Sequence, residues 1–220
     1  GNPFYQTPRA ECTKNADYDI LDLTDLPDDY LPRTNYVPAC SREEYERRIP
    51  KVPWDGRPMT EYYRLAYRGM IGSSAERTLI GSIVPKRAGH INGVQTTAFK
   101  SLQYLINAAS FGFSLAADFF VKTTGRSNLH FTWYNFPFLD NCNSIILRGL
   151  LLSCNTNYYA SLWTSCWQDA FTSDSWAKSD PRLPNSFFRS LTPEWNRDCA
   201  LRTDYTRRQS LVEIDVLTAM

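Results

Sequence analysis

Eight of the thirteen prolines fall within the first 60 residues, and this clustering restricts the chain more than any other feature. Proline has no amide hydrogen to give to a helix or a sheet, and it biases the residue before it toward extended backbone. The run "DYDILDLTDLPDDYLPRTNYVP" shows no sustained helical period either, so residues 1–60 read as an extended arm laid over something larger. One short helix is expected inside the arm. In "SREEYERRI" Ser41 can cap and Glu44 can reach back to the cap's amide, with acids early and Arg47 and Arg48 late, as the helix dipole favours.

Regular structure begins beyond the arm. The segment "YYRLAYRGMIGSSAERTLIGSIVP" reads as a β-hairpin. Leu65, Tyr67 and Ile71 fall on one face of its first strand, and Arg64, Ala66, Arg68 and Met70 on the other. The second strand, Arg77 to Val84, is apolar on both sides and is expected to be the inner one, with Gly72 to Glu76 as the turn. Helical spacing follows from Ala98 to Ser110, and again in "FSLAADFFVK", with Gly125 as a stop before a polar loop. "FTWYNFPF" looks strand-like. Ser144 to Leu152 and Tyr158 to Phe171 look helical. The last segment, from about Asp198, has Asp198 as a cap candidate and Leu201, Tyr205, Val212 and Val216 on one side. The fold class expected is α+β: a small mixed or antiparallel sheet with a β-hairpin, flanked by helices, with the proline-rich arm and a helical C-terminal segment. The divisions are 1–60 for the arm, 61–140 for the core and 141–220 for the helical segment.

With 220 residues, 43% of them hydrophobic, the chain can bury one large core. No run of about 18 apolar residues is present, and the N-terminus lacks a signal peptide's apolar segment, so a cytoplasmic location without a membrane is expected. The six cysteines are scattered with no C-x-x-C pair and two histidines to complete a metal site, so reduced buried thiols are expected and no metal. Net charge is +1, but it is unevenly spread. Residues 1–31 carry 2 basic and 7 acidic side chains, residues 32–130 carry 14 and 7, and residues 131–220 carry 8 and 9. The cations are thus concentrated in the middle.

Catalytic motifs are missing: no nucleophile elbow, zinc-protease helix, P-loop or glycine-rich dinucleotide loop occurs. A Cys-His nucleophile, Cys166 or Cys142 with His130, would make the chain a hydrolase, but a lone cysteine and histidine without a local signature are more often structural. "NPFY" at positions 2–5 invites comparison with the N-P-P-Y motif of amino-group DNA methyltransferases. It lacks the second proline and any preceding glycine-rich loop, and reads as coincidence.

Three segments nevertheless resemble one family in its own order. "YYRLAYRGMIGSSAERTLIGSIVPKRAGHIN" and "AADFFVKTTGRSNLHFTWYNFPFLD" are similar to the region after the catalytic domain of large bacterial adenine-N6 DNA methyltransferases, and "ALRTDYTRRQSLVEIDVLTAM" resembles their closing helix. The members are those of type IIG restriction-modification and of DISARM- and BREX-type antiviral defence. "YNFPF" replaces their more usual L-E-x-L-P pattern. The resemblance implies a target-recognition domain that binds double-stranded DNA. It also implies a methyltransferase catalytic domain, in the same or a separate chain, that supplies S-adenosylmethionine; this chain binds no cofactor itself.

A recognition domain needs cations for phosphates and polar side chains for base edges. The cations expected to serve are Lys86, Arg87, Lys122 and Arg126, and the candidate readers are His90, Asn92, Gln95, Ser127, Asn128 and His130. Both loops follow scaffold elements, so the fold could bring them to one face. Glu76 and Arg77 are expected to fix the hairpin, whereas Arg64 and Arg68 could face either the duplex or the catalytic domain. The alternative is a protein-interaction module that docks onto other subunits of a defence complex.

Overall fold

The computed structural model describes residues 4–14, 16–31, 36–72, 74–130, 132–137 and 142–220. Asn2 and Pro3 of "NPFY", Ser73 of the turn, Phe131 and the end of "FPFLD" therefore lie outside the described residues. The architecture is mixed α+β. In chain order come β1 (Gln6–Pro8), β2 (Tyr18–Ile20), α1 (Arg42–Arg48), β3 (Arg64–Arg68), β4 (Gly81–Val84), β5 (Val94–Ala98), α2 (Leu102–Gly112) and α3 (Leu115–Thr123). They are followed by α4 (Asn143–Ser153), α5 (Ala160–Cys166), α6 (Ser186–Arg189) and α7 (Asp204–Ala219).

The first two strands pair with each other antiparallel, and the other three form a second antiparallel sheet in the order β4-β3-β5. The inner strand is β3, not the second strand of the hairpin. Leu65 and Tyr67 on one face, and Arg64 and Ala66 on the other, are all buried, so both faces of β3 are covered. The second strand is confined to residues 81–84 because the chain before it is held otherwise: the buried Asp118 carboxylate of α3 accepts the amides of Thr78 and Leu79, both at 2.6 Å. The strand β5 is not among the elements expected from sequence. Its "VQTTA" is half-buried throughout and has no alternation to mark it.

Tyr67 is the pivot of the sheet's helical side. A Cβ at Gly81 would come within 2.5 Å of its ring, and one at Gly112, the last residue of α2, would collide with its hydroxyl. Both glycines therefore allow the aromatic ring to lie between strand and helix. Tyr159, ahead of α5, donates its hydroxyl to the Ile83 carbonyl of β4 at 2.8 Å. The helices α2, α4 and α7 pack on one another, and one hydrophobic cluster draws on residues from Phe4 and Leu23 to Leu201 and Ile214.

Other segments depart from their sequence patterns, among them the helix expected over Tyr158 to Phe171, which is α5 between two 3-10 turns. "TWYN", residues 132–135, is a 3-10 turn rather than a strand, and its Trp133 stacks at a tilt on Tyr67 with ring centres 5.6 Å apart. In α7, Val212 and Val216 are exposed, and the buried positions are Arg207, Ser210, Glu213 and Ile214. The cap is Thr203, whose hydroxyl accepts the Thr206 amide, while Asp198 lies in a preceding 3-10 turn. Ser41 does cap α1, accepting the Glu44 amide, but the Glu44 carboxylate turns to Arg47 and Arg48 instead of the cap. No single helix among the described residues is long and apolar enough to cross a membrane.

Candidate nucleic-acid interface

The register of the second sheet dictates where the first polar loop runs. β4 ends level with the start of β3, since Val84 pairs with Arg64, and β5 begins level with its end, since Val94 pairs with Arg68. Residues 85–93 must therefore travel the length of β3. They do so over the face that carries Arg64 and Ala66. The Arg64 guanidinium donates to the Ala88 carbonyl, His90 Nε2 lies 2.9 Å from the Thr96 hydroxyl, and the Gly69 amide donates to the Gly93 carbonyl at 2.8 Å.

Lys86 and Arg87 stand at the beginning of this crossing, beside Arg64. Arg87 has a left-handed backbone, with φ of 66°, and its amide donates to the Thr60 carbonyl at 2.6 Å. Lys86 places its ammonium 5.2 Å from the centre of the Tyr63 ring. Both side chains are exposed. His90 is more constrained. Its Nδ1 is 3.1 Å from the Ile91 carbonyl, which can only accept, so Nδ1 carries the proton and, in the neutral ring, Nε2 accepts from Thr96. Reading a base would require His90 to surrender one of these bonds.

The second loop is built as a short strand-like extension. α3 stops at Gly125, which is left-handed with φ of 62°. The chain then runs antiparallel beside residues 69–71. Ile71 donates to the Ser127 carbonyl at 2.9 Å, Leu129 donates to the Gly69 carbonyl at 2.8 Å, and Met70 and Asn128 form a bridge. Leu129 is fully buried and anchors this pairing, so that Ser127, Asn128 and His130 are left exposed on either side of it. Lys122 donates to the Ala75 carbonyl at 3.2 Å and so ties the end of α3 to the preceding turn. Arg126 is exposed and reaches the Thr132 hydroxyl at 3.5 Å.

Gly69 is where the two loops meet, its amide bonded to one and its carbonyl to the other. Asn92 and Gln95 from the first loop and β5 thus join Ser127, Asn128 and His130 from the second at one end of the sheet. Lys86 and Arg87 do not join them: they lie at the opposite end of β3, roughly five strand residues away, or about 15 Å at the usual rise. Besides Arg126, which precedes Ser127, Arg68 stands at the Gly69 end, exposed and opposite Val94. The alternation of Arg64 and Arg68 marks it on the sequence, but only the strand pairing separates it from the buried Arg64.

Two other sequence candidates, Arg77 and Cys166, are structural. Arg77 pairs with Asp215 of α7 at 3.0 Å and reaches the Phe113 carbonyl at 3.4 Å, so it fastens helices rather than the hairpin itself. Burial pushes the Cys166 thiol up to about 12 and the Cys154 thiol well above its ordinary value, which keeps both protonated and poor as nucleophiles. No group of three or more histidine, cysteine or acidic side chains among the described residues is arranged to hold a metal. No family model, curated protein or solved structure matches the chain.

Proposed function

We propose that this chain is the DNA-recognition part of a bacterial adenine-N6 DNA methyltransferase of restriction-modification or antiviral defence. It would hold duplex DNA so that one adenine is flipped into a catalytic pocket supplied by another domain. The observation that supports this most directly is the meeting of the two polar loops at Gly69. It gathers Asn92, Ser127, Asn128 and His130, with Arg68 beside them, on backbone that is hydrogen-bonded to a sheet, whereas Gln95, opposite Tyr67, is on the other face from Arg68. Rigid backbone under polar side chains is what base reading requires, because a bidentate hydrogen bond tolerates little displacement. S-adenosylmethionine belongs to the catalytic domain in this reading, and no residue of this chain is assigned to it.

The cations divide the work. Arg68 and Arg126 flank the gathered polar residues and would set the register of the duplex through its phosphates, while Lys86 and Arg87, at the far end of the sheet, would touch backbone farther along. Fluorescence anisotropy with duplex DNA across a salt series tests this. Replacing Arg68 and Arg126 by alanine should weaken binding and lower the magnitude of the log-log salt slope by up to about 0.9 for each phosphate that is no longer neutralised. Asn128→Ala should relax sequence preference while leaving the slope alone. An unchanged slope in a variant lacking Arg68, Arg126, Lys86, Arg87 and Lys122 together would remove both loops from any DNA interface.

A second reading, a docking module for other defence subunits, is favoured by one observation. Leu115 and Phe119 of α3 are exposed, 51% and 69%, one turn apart, and α3 packs against α7, where Val212 and Val216 are exposed as well. Retention of a protein partner from extract after nuclease treatment, lost on Phe119→Asp, would favour it over DNA binding.

A further inference from the structure

Arg64 is the one feature of the sheet that the recognition reading does not use. Its side chain is 1% exposed, and among the described residues its guanidinium donates only to the Ala88 carbonyl and its Nε has no acceptor. Among the described residues no carboxylate pairs with it. The contrast is with Arg148, equally buried, which holds Asp174 at 2.6 Å and Glu213 at 2.8 Å. A buried cation without a counter-charge is costly, and removing it from water pulls the Arg64 pKa below the ordinary arginine value.

A cavity of about 370 Å³ lies over it, between residues 38–60 and the crossing loop. Arg64 lines this cavity together with Arg48, Tyr45, Thr60 and His90, while Ile49 and Met59 give it an apolar wall. The Tyr45 hydroxyl is close enough to Gly89 that a Cβ there would approach it to 2.7 Å, which places the phenol at the crossing loop. Polar side chains therefore line it from the sheet, from α1, where Arg48 also pairs with Glu44, and from the chain after it. Convergence from three sides suits a tetrahedral oxyanion better than a planar carboxylate, and the volume exceeds what one bare anion fills.

We propose that this cavity is a phosphate-binding site, with the Arg64 guanidinium as its floor, Arg48 and the Tyr45 hydroxyl at its rim, and the group esterified to the phosphate against Ile49 and Met59. The site stands on the cavity and on Arg64 by themselves. Only the source of the phosphate, a nucleic-acid strand or a small phosphorylated molecule, rests on the DNA reading.

Cys40 is exposed and lines the same cavity, so it reports on occupancy in the unaltered protein. The rate of its alkylation, followed by peptide mass spectrometry, is to be measured with inorganic phosphate, with deoxyadenosine 5′-monophosphate, with duplex DNA, and with sodium chloride at matched ionic strength. Either phosphate compound at ten times its dissociation constant should slow Cys40 roughly tenfold, while sodium chloride does not and Cys12, which does not line the cavity, keeps its rate. Arg64→Met should abolish the protection. Should that variant fail to melt cooperatively, Tyr45→Phe, which removes one hydroxyl only, should raise the concentration needed by about tenfold. Protection by duplex as well would assign the phosphate to a strand. Protection by the small compounds alone would assign it to a small ligand and leave the recognition reading to the salt-series assay. No protection by either small compound, or equal protection in Arg64→Met, overturns the site.

Discussion

Arg148 and Arg64 are buried to nearly the same degree, yet the fold neutralises only the first with side chains. Arg148 Nε donates to Glu213 and Nη1 to Asp174, and Nη2 donates to the Ser175 carbonyl. Glu213 also accepts the Ala177 amide at 2.9 Å. Removing one member strands the other charges in the interior, so Glu213→Ala should lower stability by about 3–5 kcal/mol, read as a fall in the urea midpoint. A surface carboxylate gives the pH counterpart. Hydrogen bonds from Arg182 and from the Tyr205 hydroxyl hold Asp180 far below the usual aspartate value of 3.8. The folded pKa is depressed, so the stabilisation is present above the unfolded value and is lost as pH falls through the range below it. Melting temperatures between about pH 5 and pH 2 should therefore drop more steeply for the native chain than for Asp180→Asn. Neither network is legible in the sequence: Arg148 and Glu213 are 65 positions apart, and no local spacing joins them.

At the scale of elements, α7 shows how far periodicity carries and where it stops. Its existence and its approximate span follow from the sequence, and its capping hydroxyl is Thr203. Thr203→Ala should cost about 1 kcal/mol, measured by thermal or urea unfolding, since the Thr206 amide loses its acceptor. The buried side of the helix does not follow. Apolar spacing points to Val212 and Val216, both exposed, while Arg207 and Glu213 are inside. Arg207 donates to the Leu152 and Leu201 carbonyls, so one of the orphan carbonyls at the C-terminal end of α4 is satisfied by a charged residue of α7. The 3-10 turn at residues 132–135 is the same kind of failure. An aromatic run with strand propensity folds otherwise because Trp133 has Tyr67 to pack against.

For the whole molecule, the uneven charge along the chain becomes an arrangement in space only through the sheet. The basic middle, residues 32–130, holds 14 of the 24 lysines and arginines. Arg64 is committed to the interior, Arg77 to α7, and Arg47 and Arg48 to Glu44. The cations left exposed near the sheet are fewer than the count suggests, so the proposed DNA binding should show a modest salt slope, with Arg68 and Arg126 supplying most of it. Residue order alone was enough to set the α+β class, the helices α2, α3 and α4, the cap of α1 and the stop at Gly125, because each rests on residues within a few positions of one another. Folding in three dimensions was needed to make β3 central, to bring the polar loop residues together at Gly69 while Lys86 and Arg87 stand apart, and to turn Arg64 toward a cavity where no acid among the described residues pairs with it. Strand order, loop pairing and the neutralisation of buried charge depend on partners tens of residues away, and no local pattern encodes them.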